Sequence, residues 1–423
     1  MLFLKFAGCI LEPNFDLYLL MTGFSLRLLL SPFTRDLYDM DIWTSIGSAI
    51  YSGQNPYALP SNALVYPPLW AIFCTTSYLS YSLTRNLFLQ YFTLKLPIVI
   101  ADILICLTIR RIVYNLTGDT SKARTAMILY LFNPVTIIFS SLWGMFDAIP
   151  TLFTFLSLLY LSQSKYLKSG LALGLGIGFK GFFPALLLPI FLLCVWKKKR
   201  KLSSCIQYLI NSILIPLIIS TPFLIINSHA FISSVILHAN RLPQNLTYWF
   251  LIRTLLEING ASTTAIIALS SFLFISSFLI LYLLLIKKAT TWPMKGNPTD
   301  MSFILKGSIL ALFIFFLTSN VVNEQYLVWV LPLLIVYMTG FNQPRRLFFY
   351  VLCGLDIFFV AVNVGPGFFT PIIEMPLWWT NFQYSGSSMI LMILTGSLFS
   401  IVSGTVFFKL IKVASLERQG RSH

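Results

Sequence analysis

Three features of this 423-residue sequence predict an all-α, polytopic membrane protein. Apolar runs recur from one end to the other at lengths near the roughly twenty residues that a helical span needs. Only 10% of residues are charged while 57% are hydrophobic, with mean hydropathy +0.82; soluble domains carry about 25% charged residues. Lys and Arg gather in alternate inter-span segments, as cytoplasmic loops do. One integral membrane domain, residues 1–423, with about 11–13 transmembrane helices is expected. No segment between the apolar runs is long enough for a separate soluble domain.

The first apolar segment, about 14–33, reads as a retained anchor. The opening run MLFLKFAGCI is too short for a cleavable signal, is followed by Glu12 and Asp16, and lacks a small-residue cleavage site. Further spans are predicted near 91–114, 124–141, 144–163, 203–226, 263–286, 302–321, 323–341, 347–366 and 388–411. Residues 66–82 are barely long enough to cross and open with Tyr66, Pro67 and Pro68, so they are expected to lie in the interface, within a long first external segment, 34–90. Residues 169–196 hold too much apolar sequence for one typical span and too little for two. With basic residues at both ends and a break at Gly178, Lys180 and Gly181, they read as paired half-helices with Lys180 at the tip. Non-helical backbone at that depth is tolerated only inside protein or beside a wet cavity. The helices of 345–423 receive no role.

The net charge of +15 is explained by orientation. Arg110, Arg111, Lys122, Arg124, Lys165, Lys168, the run Lys197 to Lys201, Lys287, Lys288, Lys295, Arg345 and Arg346 fall on one side, which the positive-inside rule makes cytoplasmic. A nucleic-acid partner is not needed to account for them. The other side receives 34–90, the Lys180 tip, 227–262, the NVVNEQ turn and 366–387. The six cysteines show no metal-binding or redox spacing.

Of fourteen acidic residues, Asp36, Asp39 and Asp41 fall within six positions just after the first span. A solvated turn capping the amphipathic run that holds Ile42, Ile46 and Ile50 would be one reason. A site is the other, because carboxylates beside hydrocarbon are costly. Cations that could answer them lie on the same side: Lys180, His238 and Arg241. Glu324, Gln325 and Tyr326 interrupt an apolar region on that side. Asp102 and Asp356 sit within spans, where each is either functional or neutralised by a buried partner or proton. An external transferase has no dependable nucleotide-sugar pool, whereas a polyprenyl-phosphate sugar arrives in the membrane itself. Its phosphate leaves without a general acid, so one carboxylate acting as base on the acceptor hydroxyl suffices and the sugar inverts. Cations would hold the phosphate. A transporter or flippase of a lipid-linked sugar, using Asp102, Lys180 and Asp356, and a non-catalytic partner subunit are the competing readings.

The motifs YDMD (Tyr38 to Asp41), GQNPY (Gly53 to Tyr57), YPPL (Tyr66 to Leu69), ADIL around Asp102, LFNP to GMFD (Leu131 to Asp147), FKGFFP (Phe179 to Pro184), HANR with NLTYW (His238 to Trp249) and NEQYLVWVLP (Asn323 to Pro332) occur in that order. In this the chain resembles the GT-C glycosyltransferases, most closely the catalytic subunit of GPI mannosyltransferase I and its prokaryotic relatives. The resemblance implies a GT-C bundle and inverting transfer of mannose from a dolichyl- or polyprenyl-phosphate carrier to a lipid-linked glycan or glycolipid at the external or luminal face. It implies a plasma-membrane location in a prokaryote or the endoplasmic reticulum in a eukaryote. Asp39 is expected as base with Asp41 as orienting partner, or the reverse; Lys180, His238 and Arg241 as phosphate ligands; and Asp36, Tyr66, Asp147, Glu324, Gln325 and Tyr326 as substrate contacts. A small membrane partner subunit fits the resemblance. No cofactor or metal is expected to be obligatory, since a monophosphate leaving group can be managed by Lys and Arg. The family's S-Q-Y-F is NEQYL here, which adds Glu324, and its basic run after the histidine is reduced to Arg241.

Overall fold

The computed structural model describes residues 15–59, 64–237, 241–294, 299–341 and 346–419, and these form seventeen α-helices with one two-residue strand pairing. Helix α1, Phe15–Leu30, ends in a 3-10 turn at Ser31–Phe33, and the chain bends by 80° into α2, Leu37–Tyr51. Pro32 supplies no amide to prolong the first helix. Asp36 starts the second by accepting the Asp39 amide at 2.9 Å, an N-cap bond that satisfies a donor the helix leaves unpaired. Helix α3, Leu69–Thr84, lies against α2, and a Cβ at Gly47 would stand 2.3 Å from the Cys74 carbonyl oxygen. The two helices can approach that closely because Gly47 has no side chain. The expected first loop is thus largely helical.

Helix α4, Leu87–Thr117, is followed by α5, Thr120–Leu131, which bends by 45° at Asn133 and Pro134 into α6, Pro134–Ile137, and a π-turn, Ile138–Trp143. The π-turn stops at Gly144, whose φ of 95° lies in the left-handed region that favours glycine. Helix α7, Ala148–Ser162, leads to α8, Tyr166–Phe179, and α9, Phe182–Lys199, which meet at Lys180 and Gly181. Helix α10, Leu202–Leu237, is interrupted by extended backbone at Asn227. Then come α11, Trp249–Ile258; α12, Thr263–Ala289; α13, Thr299–Thr318; α14, Leu327–Gly340; α15, Arg346–Asn363; α16, Leu377–Gln383; and α17, Gly386–Gln419.

Among the described residues six helices are long and apolar enough to span a bilayer, or eight if each bent pair is one span. The shorter apolar helices α7 and α14 are almost wholly buried. The chain is a multi-pass integral membrane protein whose helices run from centre to lipid. The apolar window of α13 is 89% buried, whereas that of α10 is 6% buried, so α13 is a core element and α10 turns its hydrophobic surface to lipid.

Buried charges are paired at two levels. At one end of α1, Asp16 binds Arg110 and Arg124. In the last turn of α1, Arg27 reaches Asp102 at 3.1 Å, the Leu131 carbonyl at 2.7 Å and Thr136 at 2.9 Å, while the Tyr130 hydroxyl donates to the other Asp102 oxygen at 2.8 Å. A carboxylate inside the bundle is tolerable only with such partners. Asp102 is therefore part of the packing of α1, α4 and α5. Asp356, fully buried on α15, has neither carboxyl oxygen hydrogen-bonded among the described residues.

Breaking the Arg27–Asp102 pair should be worse than removing both charges. Arg27→Met is expected to cost about 3–5 kcal/mol because it strands a buried carboxylate, and Arg27→Met with Asp102→Leu to recover much of that loss. Thermal unfolding of the purified variants in one detergent measures the difference.

Candidate functional site

Several breaks in helical structure meet at the end of the bundle opposite the Asp16 cluster. The bend between α1 and α2 is held to the π-turn by the Asp36 amide, which donates to the Trp143 carbonyl at 3.4 Å, and by the Thr34 hydroxyl, which donates to the Ser141 carbonyl at 2.9 Å. From the far side, the Arg35 amide donates to the Phe368 carbonyl at 2.9 Å. Trp143 then directs its indole N–H onto Asp39 Oδ2 at 2.7 Å. Asp39 thus has its backbone amide held by Asp36 and its carboxylate held by Trp143.

Lys180 stands at the break between α8 and α9, 5% exposed, because its helix ends there and Gly181 begins the next. Its Nζ contacts both oxygens of Asp147 at 2.8 and 2.9 Å. The rings of Tyr66, Phe146, Tyr326 and Trp329 surround the ammonium at 5.2–5.4 Å from their centroids. Aromatic faces are attractive to a desolvated cation. Asp147 also accepts the Trp329 indole N–H and is fully buried beneath the lysine. Asp147 therefore sits behind Lys180 and does not line the adjoining cavity.

The third component is the turn after α13. Strand β1, Gln244–Asn245, pairs in parallel with β2, Val321–Val322, and sets Arg241 beside the segment leading to Glu324. Glu324 Oε1 accepts from Asn363 at 3.0 Å and Oε2 from Asn245 at 3.3 Å, so one carboxyl ties together three segments. Tyr326 stacks on Trp329 at 3.9 Å, and Gln325 is buried in the same turn. A cavity of about 420 Å³ lies between the Lys180 break and the turn after α13. Lys180, Arg241, Tyr66 and Tyr326 form its polar and aromatic wall; Phe274 of α12 and Phe315 of α13 form an apolar one.

Asp41 does not join Asp39. Residues two apart on a helix point to different faces, and the Asp41 side chain is 73% exposed, 3.6 Å from Arg35. The D-x-D spacing thus places one carboxyl towards Lys180 and the other outside the cluster. His238 lies outside the described residues. Trp143 and Lys95 were not foreseen from the sequence; for Lys95 the available signal was a lysine inside an apolar run.

Burial pushes the Asp39 carboxyl up to about 7, aided by the Asp36 charge and opposed by the Trp143 hydrogen bond and Lys180. Glu324 is also raised to about 7 by burial, against its hydrogen bonds and Arg241. Asp36 is raised by burial as well. The cluster holds cations on one side and proton-retaining carboxyls on the other.

Residues 47–257 match the family model of the GPI transamidase subunit PIG-U. None of the curated proteins matches. Among solved structures the chain is similar to ArnT from Cupriavidus metallidurans bound to undecaprenyl phosphate, with TM-score 0.54 and 13% identity over 96% of this chain and 78% of that one. It is similar also to ArnT in the apo state, with TM-score 0.53 and 13% identity over 92% and 76%. Identity at that level speaks for the fold, which is of the GT-C type expected. The family model that matches is that of PIG-U and not that of the mannosyltransferase I catalytic subunit to which the motifs pointed.

The raised carboxyls have a stability consequence. Asp39 and Glu324 keep their protons to about pH 7 when folded, but lose them near pH 4 when unfolded. Between those values the folded state binds more protons, so their contribution to stability falls as pH rises from about 4 to 7. Asp39→Asn is expected to raise the melting temperature at pH 8 by about 2–4 °C and to leave it nearly unchanged at pH 4. Differential scanning fluorimetry at the two pH values checks this.

Proposed function

We propose that this protein is an inverting glycosyltransferase. In this reading it transfers a sugar, mannose by its motif resemblance, from a dolichyl- or polyprenyl-phosphate carrier to a hydroxyl of a lipid-linked glycan or glycolipid at the external or luminal face. The observation that carries the reading is that Asp39, held by Trp143, lies within the electrostatic reach of Lys180, and that Lys180 with Arg241 lines a cavity with an apolar wall. Arg110, Arg124 and the run Lys197 to Lys201 lie towards the other end, which supports an external or luminal site by the positive-inside rule.

The donor phosphate would lie against Arg241 and Lys180, with its polyprenyl chain along Phe274 and Phe315 towards the lipid-facing helices. Asp39 takes the acceptor proton as the acceptor oxygen attacks the anomeric carbon. A new carbon–oxygen bond forms on one face as the carbon–oxygen bond to phosphate breaks on the other. The electron pair of the broken bond leaves with the polyprenyl phosphate, where the two cations stabilise it. Asp147 keeps Lys180 in place. Asp36 caps the helix that carries the base. Tyr66, Glu324, Gln325 and Tyr326 frame the substrate.

A second reading is favoured by one observation. The PIG-U match spans 47–257 and so contains Lys180 and Arg241 but neither Asp39 nor Glu324. A subunit of a larger membrane assembly, with no transfer of its own, would keep the scaffold and have no need of the base. One assay separates the two readings. With radiolabelled polyprenyl-phosphate mannose and lipid extracts, Asp39→Asn is expected to lower transfer by about 10²–10⁴-fold while donor binding persists. Absence of transfer by the wild type would favour the subunit, and full activity in the variant would rule out Asp39 as the base.

We also propose transfer without an obligatory divalent ion, since Asp39 and Asp41 point to different faces of α2 and cannot chelate together. Activity is expected to survive EDTA and to rise with pH through about 7 as Asp39 ionises. Loss on chelation with recovery on adding Mg²⁺ or Mn²⁺ would overturn the metal-free reading.

A further inference from the structure

A second buried lysine lies behind the site. Lys95 of α4 is fully buried, and no carboxylate hydrogen-bonds to it among the described residues. An isolated buried ammonium is costly unless strong acceptors replace its water. Here its Nζ lies 2.5 to 3.1 Å from four oxygens: the carbonyl and hydroxyl of Thr34 and the carbonyls of Ser141 and Leu142. The backbone beside its stem is open because Gly144 has no side chain; a Cβ there would come within 3.0 Å of Lys95 Cε.

Those four oxygens belong to only two segments, the bend between α1 and α2 and the end of the π-turn. The first continues directly into Asp36, which holds the Asp39 amide, and the second into Trp143, which holds the Asp39 carboxylate. Neither segment is regular helix at that point, so their carbonyls need donors from elsewhere. A donor amine that gathers carbonyls of both segments fixes their separation, and with it the line from the Trp143 indole to Asp39.

We infer that Lys95 is a positioning residue, whose side-chain amine locks the bend after α1 to the π-turn and thereby aims Trp143 and Asp36 at Asp39. The inference rests on the proposed transfer only for the use made of Asp39; the geometry itself needs no substrate. A lysine that merely filled space would leave the Trp143–Asp39 hydrogen bond unchanged when replaced by an apolar side chain of similar length.

The test reads that bond directly. In ¹⁵N-tryptophan-labelled protein, the Trp143 indole resonance, assigned by its loss in Trp143→Phe, should titrate with Asp39 and cease to do so in Asp39→Asn. The charges that also bear on Asp39 are Asp36, Lys180 and Glu324, with Arg35 and Asp41 on the neighbouring turn, and these stay in place in every variant used to probe Lys95. Lys95→Met is expected to move the Trp143 resonance and to raise its titration midpoint by about one pH unit, since the hydrogen bond that favours the carboxylate is loosened. The other eight of the nine indole signals should stay where they are. An unmoved Trp143 signal with an unmoved midpoint overturns the inference. If Lys95→Met does not fold, Thr34→Val removes one acceptor and the Thr34–Ser141 bond while keeping the amine, and the same upward move is expected; no move there overturns it equally. Because the resonance needs neither donor nor acceptor, a wild type without transfer would refute the proposed reaction and leave this inference intact.

Discussion

The ion pair between Lys180 and Asp147 is the contact on which the arrangement of the site depends. Lys180 stands where α8 stops and α9 starts, and Asp147 stands at the entry to α7, so the pair joins two breaks that have no backbone hydrogen bonding in common. Trp329 of α14 completes it by donating to the same carboxylate and placing its ring beside the ammonium. A buried charge pair is not by itself a large source of stability, because desolvation offsets the attraction. Its effect here is geometric. Four aromatic rings and a bidentate carboxylate leave the lysine little freedom, and the cavity takes its polar wall from that position.

A second consequence is a division of charge along the bundle. Acid–base pairs near Asp16 close one end, Arg27 and Asp102 join the last turn of α1 to α4, and the cluster of Asp36, Asp39, Glu324, Lys180 and Arg241 occupies the other end. The first two sets satisfy one another. In the third, Lys180 is paired but Asp39 and Glu324 are held by neutral donors, Trp143, Asn245 and Asn363, and sit among charges without being neutralised by them. That difference in bonding is what separates a packing network from a candidate reaction site, and burial, which the neutral donors oppose only in part, keeps protons on both carboxyls to about pH 7.

Much of this was legible along the chain. The all-helical membrane class followed from run length and hydropathy, and the break at Lys180 from glycines flanking a lysine between apolar stretches. The short D-x-D spacing drew attention to Asp39 but not to its separation from Asp41. In sequence the two aspartates look equivalent; on a helix, two residues amount to about 200° of rotation, so only one can face inward. Asp102 was visible as a charge within a span, yet nothing local named Arg27 and Tyr130, which lie 75 and 28 residues away, as its partners.

The sequence by itself determined the class of protein, the orientation suggested by its basic loops and the set of polar residues that could meet at one end. Those properties depend on composition and on neighbours along the chain. Only the tertiary structure decided which polar residues face one another, because contacts such as Trp143 with Asp39, Asn245 and Asn363 with Glu324, and Lys95 with Thr34 and Ser141 join segments far apart in sequence. Such pairings arise from how helices bend at proline, glycine and π-turns, and those bends set directions that no spacing rule specifies.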